Sequence, residues 1–318
     1  MTVFIIIASC VIFLLLGLFI SSYYAYLQSF YNKGSKKNTS IYKTKDTARQ
    51  KYEECTAALI NELLSYPCEE VNIKSYDGLN LYGRYFLFKD GAPIHILMHG
   101  YKSTANKDMA GFLKIARSLG HNALLVDQRG CENSGGKVIA FGIKERYDAL
   151  SWVNYLNSRF DAPPIFLCGV SLGGSTVLMA SELELPDNVV GIISDCAFSS
   201  PEGIIKKVCK DNGLPGVVIP LIRVGAFLYG HFTLGGKGAY VAVRKSKKPI
   251  LVIHGDRDGF IPYHMAKEIY DNATCEKYMY TFESTVHAGC YVSDPEKYTS
   301  IVEEFTKKCL NNRHSVDN

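Results

Sequence analysis

One serine lies between two glycines in the stretch Gly169-Val170-Ser171-Leu172-Gly173. An apolar run before it predicts a strand and the residues after it predict a helix, so we expect Ser171 in a tight strand-to-helix turn. Glycines two positions before and after the serine lack a Cβ, which lets strand and helix approach closely. Such a turn would present the serine hydroxyl as a nucleophile and aim the Leu172 N–H at a developing oxyanion.

A serine hydroxyl is a weak nucleophile without a base, and a histidine is the expected base. The chain has eight histidines. His287, in "STVHAGCY", lies between the last predicted strand and the last predicted helix, which is where this arrangement places its base. We do not expect the other histidines to act as the base. His95 lies in a predicted strand, His121 precedes one and His254 ends one. His99 is interpreted as loop-bracing, and the rest lie in the insertion, at a helix start and in the polar tail: His231, His264 and His314.

An acid should orient this histidine from the end of the preceding strand. The segment "HGDRDG" offers two aspartates. Asp258 is further out in the loop and is the predicted acid, whereas Asp256 is the alternative and could instead brace the turn. A second oxyanion donor is expected after the third strand, where Gly100 permits a turn and Tyr101 supplies the backbone N–H.

The elements that must position these residues follow from the hydrophobic pattern. Strand-like and helix-like segments alternate from about residue 70 to residue 310. This alternation predicts an α/β fold with a mostly parallel sheet and helices on both faces, and ligands of such sheets bind at the carboxyl ends of the strands. Residues 199–248 break the alternation and predict a small insertion of helices and loops, either a lid or surface packing.

The N-terminal segment has a different character. Residues 3–20 form an uncharged apolar run, and tyrosines 23, 24 and 26 follow it. The run predicts a single transmembrane helix with an aromatic belt, and a cleaved signal peptide fits less well because no basic segment precedes the run. Lysines and an arginine between residues 33 and 51 predict a cytoplasmic catalytic domain. The predicted organisation is an anchor over 1–30, a basic linker and lead-in helix over 31–66, and the main domain over 67–318.

Composition excludes several classes of protein. The 318 residues include 35 basic and 31 acidic side chains, for a net charge of +4, without a basic stripe of the nucleic-acid-binding kind. The ten cysteines are scattered, without a disulfide framework or metal-ligand spacing. We therefore expect no nucleic-acid partner and no metal.

Six segments together resemble the α/β-hydrolase superfamily and, within it, the serine-aminopeptidase-like branch of bacterial membrane-anchored hydrolases. They are "HGY" at 99–101, "DQRGCENSGG" at 127–136, "GVSLGG" at 169–174, "SDCAFSSP" at 194–201, "HGDRDGFIP" at 254–262 and "HAGCY" at 287–291. The resemblance implies the α/β-hydrolase fold, with a sheet of the eight-stranded type. Cys131 stands where related sequences often have glycine, which affects the shape of a loop and not the predicted triad.

The resemblance also implies a reaction that needs no metal and no organic cofactor. Ser171 would attack an acyl carbonyl with His287 as base, Asp258 would orient the imidazole, and water would hydrolyse the acyl-enzyme. An acyl ester of small-molecule size is the predicted substrate, and membrane lipid is the predicted partner of the anchor. A serine peptidase or aminopeptidase, an acyltransferase with the same triad, and an inactive membrane-tethered binding module remain alternatives.

Overall fold

The computed structural model describes residues 1–34 and 47–314. Eight strands form one sheet, and helices flank it. The strands are β1 (Glu69–Lys74), β2 (Asn80–Phe86), β3 (Ile94–Met98), β4 (Asn122–Val126), β5 (Ile165–Val170), β6 (Val189–Asp195), β7 (Ile250–Gly255) and β8 (Lys277–Phe282). The helices are α1 (Thr2–Ser29), α2 (Thr47–Leu64), α3 (Ala105–Ser118), α4 (Glu145–Arg159), α5 (Leu172–Ala180), α6 (Pro201–Asp211), α7 (Val218–Leu228), α8 (Ala239–Ala242), α9 (Tyr263–Asn272), α10 (Cys290–Ser293) and α11 (Pro295–His314).

The sheet is mostly parallel, as predicted. Its strand order is β1-β2-β4-β3-β5-β6-β7-β8. β2 is antiparallel to both β1 and β4, and all later neighbours pair in parallel. The hairpin between β1 and β2 turns at Gly78, where a φ of +85° favours glycine. Because the pairs from β4 and β3 to β7 and β8 are all parallel, the carboxyl ends of these strands meet at one edge of the sheet.

Both faces of the sheet are covered, which explains why its central strands are apolar without alternation. Every residue of β3, β4, β5, β6 and β7 is buried. On one face, Trp152 of α4 and Leu178 of α5 belong to the core. On the other face, Phe112 of α3 and Tyr298 of α11 pack together with their rings 5.6 Å apart.

α5 begins and ends earlier in the chain than the apolar pattern of the sequence predicts. The apolar segment 176–185 predicts a helix, whereas the helix begins directly after Ser171 and ends at Ala180. The two glycines of its first turn are poor helix formers in general, but here they permit close packing against neighbouring backbone. The segment 181–185 forms a turn and a loop.

The insertion between β6 and β7 holds α6, α7, α8 and a short 3₁₀ turn. α7 has 11 residues, so it is too short to cross a membrane. Its Ile222 and Ala226 are buried. The insertion predicted over 199–248 thus consists of helices and loops, and its role as a lid remains a prediction.

α1 is the one described helix that is long and apolar enough to span a membrane. Its first two-thirds are exposed, whereas the end of the helix and the residues after it enter the domain. Phe30 is fully buried, its carbonyl accepts a hydrogen bond from the Ile139 N–H at 2.8 Å, and the Asn32 N–H donates to the Lys137 carbonyl at 2.8 Å. The anchor predicted over 1–30 is therefore joined to the domain by packing. The predicted basic linker lies largely in 35–46, outside the described residues.

Candidate active site

The turn at Ser171 explains its two glycine neighbours. Ser171 has φ +56° and ψ −115°, a strained conformation for a residue with a side chain, and its N–H donates to the Asp195 carbonyl at 2.8 Å. A Cβ on Gly169 would lie 2.2 Å from the Gly173 carbonyl carbon, and a Cβ on Gly173 would lie 1.9 Å from the Met98 carbonyl oxygen. Both collisions involve backbone atoms, so only glycine fits at either position.

His287 lies between Ser171 and Asp258 within hydrogen-bond distance of both. Its Nε2 is 3.1 Å from the Ser171 Oγ, and its Nδ1 is 2.7 Å from the Asp258 Oδ2. The His287 side chain is a quarter exposed, whereas that of Asp258 is fully buried. If Nδ1 carries the proton and donates to the carboxylate, Nε2 is free to accept the serine proton.

Two loops at the carboxyl edge of the sheet bring these side chains together. Asp258 follows β7, and its Oδ1 accepts hydrogen bonds from the N–H groups of Phe260 at 2.9 Å and Ile261 at 2.8 Å. His287 follows β8 and precedes α10, next to Ala288, whose φ is +55°. Both sequence positions agree with the predicted placement of an acid and a base.

The alternative acid, Asp256, is exposed, and its N–H donates to the Phe282 carbonyl at 3.1 Å. The structure therefore brings Asp258, not Asp256, to the imidazole of His287. His254 approaches the same carboxylate from the other side, with Nε2 at 3.5 Å from the Asp258 Oδ2. That nitrogen donates to the Ile261 carbonyl at 2.9 Å, and burial lowers the pKa of His254, so this ring is neutral and structural.

Other histidines have the structural roles that the sequence indicates. The Nε2 of His99 accepts the Gln128 N–H at 3.0 Å, which braces the loop after β3. His95 and His121 contact each other at 2.9 Å, and burial lowers the pKa of both rings, that of His121 to about 4. His231 and His264 are exposed.

The loop after β3 lies against the serine. A Cβ on Gly100 would be 3.4 Å from the Ser171 Cβ, so the backbone at this position directly adjoins the candidate nucleophile. The predicted oxyanion donors flank that space: the Tyr101 N–H follows Gly100, and the Leu172 N–H begins α5. In the described parts of the chain, neither N–H has a hydrogen-bond acceptor. Both are thus available to a substrate oxygen.

Asp108 is a supporting residue that the sequence reasoning missed. Its Oδ2 accepts the Gly100 N–H at 2.8 Å and its Oδ1 accepts the Ser103 hydroxyl at 2.7 Å, so it fixes the loop beside Ser171. The signal was an acid in the first turn of α3, directly after the segment "HGYKST". Because acids are common in first helical turns, the signal does not by itself indicate this role.

Aromatic rings form a row that begins at the predicted oxyanion loop. The Tyr101 ring lies 5.1 Å from the Phe141 ring, which lies 6.0 Å from Phe198 and 5.8 Å from Phe30. The Phe30 ring in turn lies 5.1 Å from that of Phe232. These ring contacts connect the loop beside Ser171 with the end of α1 and with the insertion.

One group of possible metal ligands overlaps the site. The Sγ of Cys196 and ligand atoms of Asp258 and His287 lie within 4.8 Å of one another. Burial raises the pKa of the Cys196 thiol well above its ordinary value, which favours the protonated form that does not bind metal. The Asp258 and His287 atoms already contact each other, so this donor set does not fit a metal ion. The predicted absence of metal and cofactor remains a prediction.

No family model matches the chain. The chain is 26% identical over 238 residues to the uncharacterized protein YqkD of Bacillus subtilis, covering 73% of this chain and 77% of that protein. It is 26% identical over 190 residues to the lysophosphatidylserine lipase ABHD12 of Rattus norvegicus, covering 57% of this chain. The match spans only 45% of the lipase.

Among solved structures, the chain is similar to the esterase Pf2001 of Pyrococcus furiosus. The TM-score is 0.63 at 21% sequence identity, over 79% of this chain and 93% of that one. At this identity the likeness confirms the fold alone. Taken with the sequence relatives, it supports a hydrolase function, whereas the serine-aminopeptidase-like branch remains a prediction.

Proposed function

We propose that this chain, which has the α/β-hydrolase fold, is a membrane-anchored serine hydrolase that cleaves acyl esters. The observation that carries the proposal is the continuous line of contacts from Ser171 Oγ to His287 at 3.1 Å and from His287 to Asp258 at 2.7 Å. Three residues with complementary proton chemistry at these distances form a nucleophile, a base and an orienting acid.

The proposed reaction has two steps. Ser171 attacks the acyl carbonyl while His287 Nε2 takes its proton, and the N–H groups of Tyr101 and Leu172 stabilise the oxyanion. His287 then protonates the leaving alcohol, and an ester links the acyl group to Ser171. In the second step, His287 activates a water that hydrolyses this ester, while Asp258 holds the imidazole and stabilises its charged form.

The aromatic row supports an acyl group as the part of the substrate that is bound. Phe141 and Phe198 are buried and belong to the core cluster that the Tyr101 side chain adjoins. A methylene group removed from water into such surroundings gains about 0.8 kcal/mol, or about four-fold in affinity. We therefore favour an ester of a medium or longer acyl chain over a peptide.

A panel of p-nitrophenyl esters of increasing acyl length tests this proposal on the full chain in detergent. We expect kcat/KM to rise by up to about four-fold per added methylene over the first few carbons and then to level off. Aminoacyl p-nitroanilides are expected to be much poorer substrates. Faster cleavage of the anilides would favour a peptidase, and acyl transfer to an added alcohol, found by product analysis, would favour an acyltransferase. Absence of all turnover would favour the binding module.

Anchoring by α1 is the second part of the proposal. Residues 3–20 of this helix are uncharged, and the domain does not bury its apolar part. We expect the full chain to sediment with membranes and to resist alkaline carbonate extraction. Extraction by carbonate would exclude a spanning helix. Digestion of the catalytic domain by protease added outside intact cells would reverse the proposed cytoplasmic orientation and leave the anchor in place.

A further inference from the structure

α7 lies antiparallel beside α1, at the point where the apolar run of α1 ends. A Cβ on Gly225 would be 2.5 Å from the Ser22 carbonyl oxygen, so the two helices are in close contact. The Tyr229 hydroxyl donates to the Phe19 carbonyl at 3.1 Å, and its ring lies 5.0 Å from that of Tyr23. The apolar run of α1 ends at residue 20, directly after Phe19. Because Tyr229 at the end of α7 contacts Phe19, the end of α7 lies at the level where a spanning α1 would leave the bilayer.

A groove of about 560 Å³ opens beside this end of α7. We call it the basic groove. It lies between the start of α4 and the residues around the end of α7, and its lining includes Lys144, Arg146, Lys237, His231, Phe227 and Leu228. Phe227 is 61% exposed, so the groove also presents a large apolar side chain to its surroundings. The groove therefore combines cationic side chains with apolar ones at the depth of the membrane surface.

The cations of the basic groove have unused hydrogen-bond donors. Lys144 Nζ donates to the Gly230 carbonyl at 3.0 Å, which uses one of its three N–H bonds. Lys237 has no ion-pair partner in the described parts of the chain. Arg146 is 6% exposed, pairs with Glu182 and donates to the Tyr147 hydroxyl at 2.9 Å, so the free donors of the groove are those of the two lysines. An anion would satisfy these donors.

No acidic side chain lines the described surface of the basic groove. The nearby acids are paired: Glu182 with Arg146, and Asp77 and Asp148 with Arg129 at 2.9 and 2.6 Å. Glu145 accepts the N–H groups of Ala140 at 2.6 Å and Gly142 at 2.8 Å. The charge that faces the groove is therefore positive. Anionic lipid attracts such residues near a membrane surface.

We propose that the basic groove binds the phosphate headgroup of an anionic phospholipid in the leaflet that adjoins the end of α1. Lys144 and Lys237 contact the phosphate, and Phe227 lies among the acyl chains. The proposal rests on the membrane anchoring proposed above. Its consequence is a fixed orientation of the domain: the Tyr101 hydroxyl donates to the Ser29 carbonyl at 2.8 Å, so the loop beside Ser171 is held to the same helix.

Lipid binding to the full chain can be measured by native mass spectrometry from detergent, with phosphatidylglycerol and phosphatidylcholine of identical acyl chains. We expect the wild type to prefer phosphatidylglycerol. The double substitution Lys144→Gln and Lys237→Gln should weaken phosphatidylglycerol binding by about five-fold per lysine. It should weaken phosphatidylcholine binding less, because the choline ammonium leaves that headgroup without net charge. The matched control replaces two exposed lysines outside the groove, Lys89→Gln and Lys267→Gln, and should retain the preference.

Several outcomes would overturn the proposal. They are equal binding of the two lipids, a preference that survives the double substitution, and an equal loss in the control. If the double variant fails to fold, Lys237→Glu alone must still reduce the preference. Inorganic phosphate that displaces the lipid at low millimolar concentration would show a simple anion site and exclude the lipid assignment, whereas weaker binding of both lipids by Phe227→Ser would support the contact with acyl chains.

Failure of this proposal and failure of the proposed function give different results. Ser171→Ala should lose ester turnover and keep the preference for phosphatidylglycerol, because the basic groove does not include the serine. Carbonate resistance without any lipid preference would overturn the headgroup site alone. Carbonate extraction of the wild type would overturn the anchor, and with it the membrane position of the groove.

Discussion

The carboxyl ends of β6 and β7 each present a buried carboxylate, and the two differ in their hydrogen-bond donors. Asp195 ends β6 and Asp258 follows β7. The Oδ1 of Asp258 accepts the N–H groups of Phe260 and Ile261 at 2.9 and 2.8 Å. Its Oδ2 lies 2.7 Å from the His287 Nδ1. These three contacts hold the Asp258 carboxylate in a fixed position beside the imidazole.

Asp195 has far fewer donors. Its Oδ2 accepts the Tyr298 hydroxyl at 3.0 Å, whereas its Oδ1 has no hydrogen-bond partner among the described residues, and the nearby Cys290 thiol is only a weak donor. Burial raises the pKa of Asp195 to about 6. The comparison teaches that a position at a strand end does not make an acid suitable to orient a histidine. The loop after β7 supplies both the donors and the approach to the imidazole.

The largest expected effect is the loss of turnover when Ser171 or His287 is replaced, the two residues that contacts link to Asp258 and not to Asp195. Ser171→Ala and His287→Ala should each lower kcat/KM for a short p-nitrophenyl ester by about 10³-fold or more, because nucleophile and base act as a unit. Thermal unfolding of the full chain in detergent should stay near that of the wild type. Ser171→Ala with a tenth or more of the original turnover would refute the assignment.

The next effect compares the two carboxylates directly. Asp258→Asn should reduce kcat/KM by about 10²-fold or more, since the amide no longer stabilises a charged imidazole. Asp195→Asn should stay within about five-fold, because its side chain faces Tyr298 and not the imidazole. The exposed Asp256→Asn is the control. If Asp256→Asn proves the most damaging of the three, the wrong aspartate has been chosen as the acid.

A smaller effect, on stability and not on turnover, distinguishes His254 from His287, the two histidines that lie near Asp258. His254→Phe should lower the free energy of unfolding by about 1 to 3 kcal/mol, because it leaves the buried Ile261 carbonyl without its donor. His264→Phe, at an exposed position, should leave the urea midpoint nearly unchanged. A His254 variant with wild-type stability and a loss of turnover as large as that of His287→Ala would show that His254 takes part in the chemistry.

The smallest effect is the pH dependence that Asp195 contributes. Its folded-state pKa of about 6 lies above its ordinary value of 3.8. Between these values the folded chain keeps a proton that the unfolded chain has lost, so stability from this group falls as pH rises from about 4 to about 6. Asp195→Asn should flatten the fall in Tm over that window, and Asp256→Asn should not. A slope that is identical in wild type and Asp195→Asn would contradict the pKa shift.

The residues of the candidate site could be predicted from the sequence because local pattern and chain order specify them. Ser171 follows an apolar strand between glycines, and Asp258 and His287 occupy loops after later strands of the same sheet. Parallel strands bring such loops to one edge, so separations of 87 and 29 residues along the chain become contacts. The choice between Asp256 and Asp258 depended only on distance along a loop, and the donors at Phe260 and Ile261 give the physical reason.

Other features depend on contacts that no local pattern reports. The burial of Phe30 and the contact of Gly225 with Ser22 join segments that are far apart in sequence, so the docking of α1 onto the domain could not be read from its apolar run. The place of β4 between β2 and β3 likewise follows from tertiary packing. The role of Asp108 likewise depends on a tertiary contact, because its carboxylate holds the loop at Gly100.

The central claim is that Ser171 is a nucleophile activated by His287. A fluorophosphonate probe tests it directly, because the probe reacts with activated serines, and tandem mass spectrometry of the digested full chain locates the adduct. We predict one adduct on Ser171 in the wild type and labelling slower by about 10²-fold or more in His287→Ala. An adduct on another residue, or an unlabelled Ser171 in protein that still hydrolyses esters, would contradict the account.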